Sequence, residues 1–246
     1  MPGFNLDDLE HTSQKEIEEH LQWRRLLMVF FDPAESVAWS DFDAYSDTHV
    51  EDDVRVPGYL SARRYRLDLG HGSEFPSSFK YVTIYEVDRD MEALRKGTAA
   101  QAERGERRAH PAPEWYKDVT WAVRTCDVLS GGPDPNAPER LYLVFSATPE
   151  GMTFDEYSTW YGQHIKENLN ASELLLNGWR YRVMPTPGSD DPPAHLALYE
   201  LGGSPQEMLE QTRAGVRSGA TSMIDTFHTM ASLEAIAIGE RRTGES

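Results

Sequence analysis

The chain repeats one pattern at a spacing of about 115 residues. The segment RLLMVF at 25–30 corresponds to RLYLVF at 140–145, and on the same spacing His49 corresponds to His164. After a shift of one residue, the Arg-Tyr-Arg at 64–66 corresponds to a second Arg-Tyr-Arg at 180–182. Small drifts in spacing are expected from loop insertions and deletions between two homologous domains. The sequence therefore predicts a domain that is duplicated within one chain.

Each half shows the same order of predicted elements. An apolar strand is followed by a segment with the three- and four-residue spacing of one helical face, from Trp39 to Val54 in the first half. Strands at ARRYRLDL and FKYVTIYEV, a helix at MEALRKGTAAQAERGE and a strand at WAVRTCDVL follow. The second half offers GWRYRV, HLALYEL, a helix from about Pro205 to Met230, and SLEAIAI. The order β-α-β-β-α-β is the ferredoxin-like arrangement.

The predicted fold class is α+β, with two tandem ferredoxin-like (βαββαβ) domains that close one barrel within the chain. A ferredoxin-like unit covers one face of its sheet with helices, and a second copy can cover the other face. We place the domains at 24–129 and 140–238, joined by a linker rich in Gly and Pro at 130–139. An acidic N-terminal helical extension at 1–23 and a polar tail at 239–246 flank them.

The charge balance limits the expected partners. With 24 Lys+Arg and 41 Asp+Glu, the formal net charge is −17, which repels nucleic-acid phosphates and anionic membranes. The run LLMVFF is far shorter than the ~20 residues that span a bilayer, and the N-terminus does not resemble a signal peptide. We therefore expect a cytoplasmic protein with no nucleic-acid or membrane partner. The single Cys126 is expected to be a buried small hydrophobe, and no metal-binding motif is present.

Several of these features together resemble the dimeric α+β barrel superfamily, and in particular its EthD-like branch. They are the paired first strands, the helical pattern aromatic-x-x-aromatic-x-x-aromatic-x-x-x-His, the later Arg-Tyr-Arg, and a Tyr-Glu near the end of the third strand (Tyr85-Glu86 and Tyr199-Glu200). The resemblance covers both proposed domains. It implies a pocket between helices and sheet in which a helix-borne His acts as acid or base. It does not imply one reaction, because the superfamily includes cofactor-free cyclases, isomerases, monooxygenases and dehydratases as well as haem enzymes.

His164 and His49 correspond by position to that catalytic His. Each lies on the apolar face of its predicted helix, where loss of hydration lowers an imidazole pKa and a nearby carboxylate raises it. Asp52 and Glu167, three residues after each His, are the candidate orienting carboxylates. The alternative is that each His is a core residue hydrogen-bonded to a backbone carbonyl.

The other candidate catalytic residues are tyrosines that either donate protons or only pack: Tyr157, Tyr45, Tyr199 and Tyr85. The candidate substrate-binding residues are rings and cations of the same elements: Trp160, Tyr161, Arg180, Arg182, Arg64, Trp39, Phe42 and His228. For the arginines, ion pairs with Glu86 and Glu200 are the alternative. His228 has no counterpart in the first half, which favours the second half as the active one.

The leading functional prediction is a cofactor-independent enzyme that uses His-based general acid–base chemistry on a small aromatic or polycyclic substrate. Elimination, isomerisation or cyclisation makes it a lyase or isomerase, with a cofactor-free monooxygenase as the next class. A small molecule is the expected partner, and a homodimer is left open. The first alternative is a haem enzyme of the chlorite dismutase-like type with His164 as axial ligand. The second is a non-catalytic small-molecule-binding or stress-response protein.

Overall fold

The computed structural model of the protein describes residues 24–88, 90–130, 135–186, 188–189 and 192–244. The acidic extension expected at 1–23 lies outside the described residues, and so does part of the expected linker, 131–134. The mixed α+β class is confirmed.

Both halves have the element order β-α-β-β-α-β. The first half contains β1 (Arg25–Asp32), α1 (Trp39–Asp53), β2 (Tyr59–Gly72), β3 (Tyr81–Val87), α2 (Met91–Glu103), a short 3₁₀ helix (Glu114–Asp118) and β4 (Thr120–Ser130). The second half contains β5 (Arg140–Ala147), α3 (Phe154–Ala171), β6 (Leu175–Val183), β7 (Ala194–Leu201), α4 (Pro205–Ser218), β8 (His228–Ala237) and a two-residue strand β9 (Arg242–Thr243).

Within the described residues, eight antiparallel strands close into one barrel. The strand order is β3-β1-β4-β6-β7-β5-β8-β2, and β2 also pairs with β3, which completes the ring. The two halves join at the β4–β6 and β2–β8 pairings. Because every strand of the ring has two neighbours, the barrel leaves no open edge along most of its length.

The barrel interior is filled by alternate residues of the strands. On β1, Leu26, Met28 and Phe30 are buried in a core that both halves share, and Phe30 meets Phe145 of β5 at 6.4 Å between ring centroids. Cys126 lies in the same core, as expected. Full burial of one such large side chain stabilises the fold by about 1.5–3 kcal/mol. The intervening residues of each strand point outward, towards the helices.

The first helix of each half, α1 or α3, begins in a different way. Helix α3 begins with a capping box, in which the Glu156 amide donates to Thr153 Oγ1 at 3.3 Å and the Thr153 amide donates to the Glu156 carboxylate at 2.8 Å. Helix α1 begins after Ala38, whose side chain offers no cap. The start of α3 is therefore more strongly specified than the start of α1.

Two elements near the C-terminus differ from the prediction. The helix expected to reach Met230 ends at Ser218, because Gly219 adopts a left-handed conformation (φ 77°) that caps the helix. The expected polar tail contains β9, which pairs with Ser61 and Ala62 of β2. Arg242 of β9 also forms an ion pair with Asp47 of α1 at 2.8 Å.

Candidate functional site

Each half contains a cavity between its helices and the outer face of its sheet. The first-half cavity has a volume of about 620 Å³, and the second-half cavity has about 300 Å³. Ligand pockets commonly span about 300–1,000 Å³ and are mainly apolar with a few polar groups. Both cavities therefore have the size of a small-molecule site, and the first has room for a larger ligand.

The first-half cavity is walled by rings and aliphatic side chains around a few polar groups. Helix α1 presents Phe42, Tyr45 and His49 to it, since residues three and four apart share one helical face. Strand β3 contributes Tyr85 from the opposite wall. The segment between α2 and β4 closes one side with Arg107, Ala109, His110, Ala112, Tyr116 and Val119.

Asp53 is the centre of a hydrogen-bond network in this cavity. Its Oδ2 accepts from the Tyr85 hydroxyl at 2.9 Å, and its Oδ1 accepts from Arg107 Nη2 at 2.7 Å. His49 lies beside both partners, with Nε2 at 3.4 Å from Asp53 Oδ2 and Nδ1 at 3.4 Å from Arg107 Nη2. Because a guanidinium only donates, this arrangement corresponds to a neutral imidazole with its proton on Nε2. The two long contacts hold the ring weakly, and 34% of its side chain is exposed.

Two tyrosines of this cavity are kept in the protonated form. Burial, and then the charge of Asp53, raises the pKa of Tyr85 well above its ordinary value. Burial, and then Tyr116, raises the pKa of Tyr45 to about 12. Both hydroxyls are therefore neutral donors around neutral pH.

The prediction that Asp52 orients His49 is wrong. The Asp52 carboxylate accepts from the Ala109 amide at 2.8 Å and lies 3.4 Å from Arg55, so it fastens the segment after α2 onto α1. Asp53 is the carboxylate that reaches the imidazole, because it stands four residues after His49 on the same helical face.

His164 in the second-half cavity has a partner at each ring nitrogen. Nδ1 donates to the Ser222 carbonyl at 2.8 Å, and Nε2 accepts from Asn168 Nδ2 at 3.0 Å. Only 6% of the residue is exposed, and burial lowers the pKa of the imidazole. The geometry is the one described above for a core His bonded to a backbone carbonyl. Glu167 is not its hydrogen-bonding partner, because the Glu167 carboxylate accepts from the Ser222 amide and hydroxyl at 2.6 Å each.

The tyrosines and the tryptophan predicted in the second half divide into two groups. Tyr161 and Tyr199 line the cavity together with His164. Tyr157 is fully buried, with its ring centroid 5.4 Å from that of Tyr161, and donates to Ser146 Oγ at 3.0 Å. Trp160 stacks on His164 at 4.8 Å between ring centroids and is not part of the cavity wall.

The predicted substrate-binding arginines do not line either cavity. Arg64 binds Asp43 at 2.7 Å and Asp47 at 3.3 Å on α1, so it ties the helix to the sheet. Arg180 donates to Ser158 Oγ at 2.6 Å, and Arg182 packs over the ring of Phe154 at 4.2 Å. All three arginines point towards the first helix of their half, where a polar side chain or a ring already binds them.

The alternative ion pairing of these arginines with Glu86 is also wrong, since Glu86 binds Arg24 at 2.9 Å.

Two further predicted binding residues lie outside the cavities. Trp39 is 41% exposed and stacks on Tyr81 at 4.6 Å. His228 begins β8 and lies 3.0 Å from Glu74, because the helix expected to carry it ends at Ser218. Of the predicted substrate-binding residues in the first half, Phe42 is the one that lines the cavity.

Arg107 is the residue that the sequence interpretation missed. It comes from a segment with little regular structure, and its neighbour Arg108 forms ion pairs with Glu51 and Asp52 of α1. The complementary runs ERR at 106–108 and EDD at 51–53 were a usable signal for this contact.

The residues around His164 do not fit an axial haem ligand. A metal-binding imidazole needs one nitrogen free for the iron while the other donates to a second partner. Here Asn168 occupies Nε2 and the Ser222 carbonyl occupies Nδ1. Elsewhere in the described ranges, no group of three or more His, Cys, Asp or Glu side chains is arranged to hold a metal ion.

No helix in the described part of the chain is long and apolar enough to cross a membrane.

Several solved structures have a similar fold. A candidate monooxygenase from Fusobacterium nucleatum is 11% identical with a TM-score of 0.52, and the match covers 90% of this chain and 96% of that one. An anthrone oxidase-like protein is 12% identical with a TM-score of 0.51, over 92% and 94% of the two chains. A mutant chlorite dismutase from Candidatus Nitrospira defluvii in complex with cyanide is 11% identical with a TM-score of 0.52, over 93% and 96%.

The likeness to these structures is a likeness of fold. No protein-family profile matches the sequence, and no curated protein matches it. The neighbours are proteins of the dimeric α+β barrel type, and this chain has their barrel. Since the same fold hosts unrelated reactions, the chemistry has to be inferred from the cavities themselves.

Proposed function

We propose that the protein is an enzyme whose reactive site is the first-half cavity, with His49 as a general base acting on a small aromatic or polycyclic substrate. We also propose that the chain is a tandem duplication of a ferredoxin-like domain, at 24–129 and 140–238, and belongs to the EthD-like branch of the superfamily. The cytoplasmic location and the homodimer stay predictions.

The observation that carries the proposal is the environment of His49. The imidazole lies at an apolar cavity of about 620 Å³, between a buried carboxylate and a buried guanidinium, and both contacts are long. Among the described residues, the hydrogen-bonding contact at the Nδ1 lone pair is the 3.4 Å contact with Arg107. When Nδ1 takes a proton, the imidazolium that forms is stabilised by Asp53 at Nε2, as in other His–carboxylate pairs.

The proposed first step is removal of a proton from a carbon that is conjugated with a substrate carbonyl, either directly or through an aromatic ring. The electron pair of the C–H bond moves into the ring system and the carbonyl oxygen, and the proton moves to His49. Tyr45 stays protonated and offers a hydrogen bond to the anion that forms. Isomerisation, elimination, cyclisation and cofactor-free oxygenation all share this step.

Oxygenation becomes the first reaction to test. Two of the fold neighbours are named as a candidate monooxygenase and an anthrone oxidase-like protein, although at 11–12% identity the names only set the order of testing. In this reaction the carbanion reacts with O₂. One oxygen atom becomes a new carbonyl in place of a CH₂ group, and the other leaves as water with the two hydrogens.

Anthrone is a suitable probe for both outcomes. Oxygen uptake reports oxygenation, and deuterium exchange at the CH₂ position without oxygen reports proton removal alone. His49→Gln is expected to lower either rate by about 10²–10⁴-fold, the usual contribution of a general base. The matched variant His164→Gln is expected to keep the wild-type rate, because His164 already has both partners within the protein.

Circular dichroism and urea unfolding check that both variants are folded. Equal rates in the wild type and His49→Gln would contradict the proposal. Absence of both exchange and oxygen uptake in the wild type would favour the non-catalytic binding protein instead.

A further inference from the structure

Arg107 is a buried cation with an unused hydrogen-bond donor. Only 4% of its side chain is exposed, and Nη2 donates to Asp53 at 2.7 Å. Nη1 is buried and has no hydrogen-bond partner among the described residues. A buried donor without a partner destabilises the folded protein, and more so when the group is charged. Native proteins rarely keep such a group unless a water, an ion or a ligand binds it.

Arg107 belongs to the wall of the first-half cavity, beside His49, Tyr45 and Tyr116. From this we infer that Arg107 Nη1 binds a ligand oxygen that carries negative charge, and that the ligands are phenols and enolisable ketones. For the ketones the inference rests on the proposed function, because there the charge develops when His49 removes the proton.

Because Arg107 is paired with Asp53, we infer that its guanidinium binds a single ligand oxygen. A free guanidinium binds a carboxylate through two parallel hydrogen bonds. Here Asp53 already occupies Nη2, so one terminal nitrogen remains for a ligand oxygen. A phenolate or enolate concentrates its charge on a single oxygen. A fixed cationic donor at that position stabilises charge as it develops.

The same contact releases the base. Because Nη1 is buried, an incoming oxygen has to displace a neighbouring side chain. His49 is held weakly, by two contacts of 3.4 Å, so its side chain can move. Because Asp53 holds Nη2 at 2.7 Å, the guanidinium stays in place, and the imidazole moves away from it to make room for the ligand oxygen. The lone pair of His49 Nδ1 then becomes available to the substrate.

The test uses 4-nitrophenol, whose phenolate is coloured, so that its ionisation on the protein can be titrated by absorbance. In the wild type the pKa of the bound phenol is expected to lie about one unit below that of the free phenol, a tenfold preference for the anion. In Arg107→Met combined with Asp53→Asn, which removes both charges together, the shift is expected to disappear. The control Arg108→Ala changes the neighbouring arginine, which binds Glu51, and is expected to keep the shift.

An unshifted titration of 4-nitrophenol in the wild type overturns the inference, as does failure of the wild type to bind it or an equal shift in the double variant. If the double variant does not fold, Arg107→Lys keeps one cation for Asp53, and at least half of the shift is expected to be lost. Retention of the full shift in Arg107→Lys would also overturn the inference.

The His49→Gln variant separates the two proposals, because it is expected to keep the 4-nitrophenol shift while losing anthrone turnover. If the pKa shift of 4-nitrophenol depends on Arg107 but anthrone turnover does not depend on His49, the inference stands and the proposed function is wrong. Turnover that depends on His49 with an unshifted phenol does the reverse.

Discussion

Each cavity has a histidine at the corresponding position of the first helix of its half, but the two histidines differ in exposure and in hydrogen bonding. His49 has 34% of its side chain exposed and has contacts of 3.4 Å at both nitrogens. His164 is 6% exposed and is bonded at 2.8 and 3.0 Å. A residue of a repeated motif can therefore keep its position in the structure while the availability of its side chain to a ligand changes.

The difference arises in the segments that follow the second helix of each half. In the first half this segment contains the 3₁₀ helix and brings Arg107 to Asp53 and the Ala109 amide to Asp52. In the second half the segment after α4 brings the Ser222 carbonyl to His164. The connecting segments, and not the corresponding helices and strands of the two halves, decide which imidazole has hydrogen-bond partners within the protein.

The largest expected effect concerns the buried ion pair, which only the first-half site has among the described cavity residues. Arg107→Met leaves the Asp53 carboxylate buried without its cation, so we expect a loss of about 3–5 kcal/mol in the free energy of unfolding. Asn168→Ala in the second-half cavity removes a neutral hydrogen bond and should cost about 1 kcal/mol. Urea unfolding at pH 7 measures both. Equal losses would mean that the two sites are electrostatically alike.

The second half should be the more sensitive to acid. His195 is a buried residue of β7, and burial, and then the charges of Arg180 and Arg182, lowers its pKa to about 4. Between the ordinary His pKa and this value, the unfolded chain binds a proton that the native chain does not. Stability should therefore fall as the pH falls from about 6.5 to 4, by up to about 3 kcal/mol from this group. Urea unfolding of the wild type and His195→Gln across this range isolates the contribution. Parallel curves for the two proteins would contradict it.

The paired tyrosines of the third strands give the next comparison. Tyr85→Phe removes the hydroxyl that donates to the Asp53 carboxylate at 2.9 Å, and hydrogen bonds to charged groups contribute about 1.5–3 kcal/mol. Tyr199→Phe removes only a 3.5 Å contact with Asn168 and should cost less than about 1 kcal/mol. Urea unfolding of the two variants measures this difference. A Tyr199→Phe loss as large as that of Tyr85→Phe would show that the two hydroxyls contribute equally and would contradict this expectation.

The smallest effects concern the starts of α1 and α3. Thr153→Ala removes the capping box and should lower stability by about 1 kcal/mol. Ala38→Ser supplies a cap where the first half has none and should raise stability by about 0.5–1 kcal/mol. Thermal unfolding followed by circular dichroism measures both changes. No gain from Ala38→Ser would mean that tertiary contacts already fix the start of α1.

The sequence predicted the positions of residues in periodic helices and strands, but it did not predict the contacts made by the connecting segments. The helical spacing placed Phe42, Tyr45 and His49 on one face of α1, and all three line the first-half cavity. Arg107 was missed because its segment has little periodicity. Arg64 was misplaced because strand alternation indicates a face of the sheet but not the acidic helix that covers it.

The location of a bound ligand tests the central claim most directly. Crystals soaked with 4-bromo-1-naphthol allow the bromine to be located by anomalous scattering, independently of any reaction. We expect a bromine peak in the first-half cavity, with the ligand oxygen at Arg107 Nη1 and the naphthol rings among Phe42, Tyr45 and Tyr85. A bromine peak found only in the second-half cavity, beside Tyr161 and Tyr199, would contradict it.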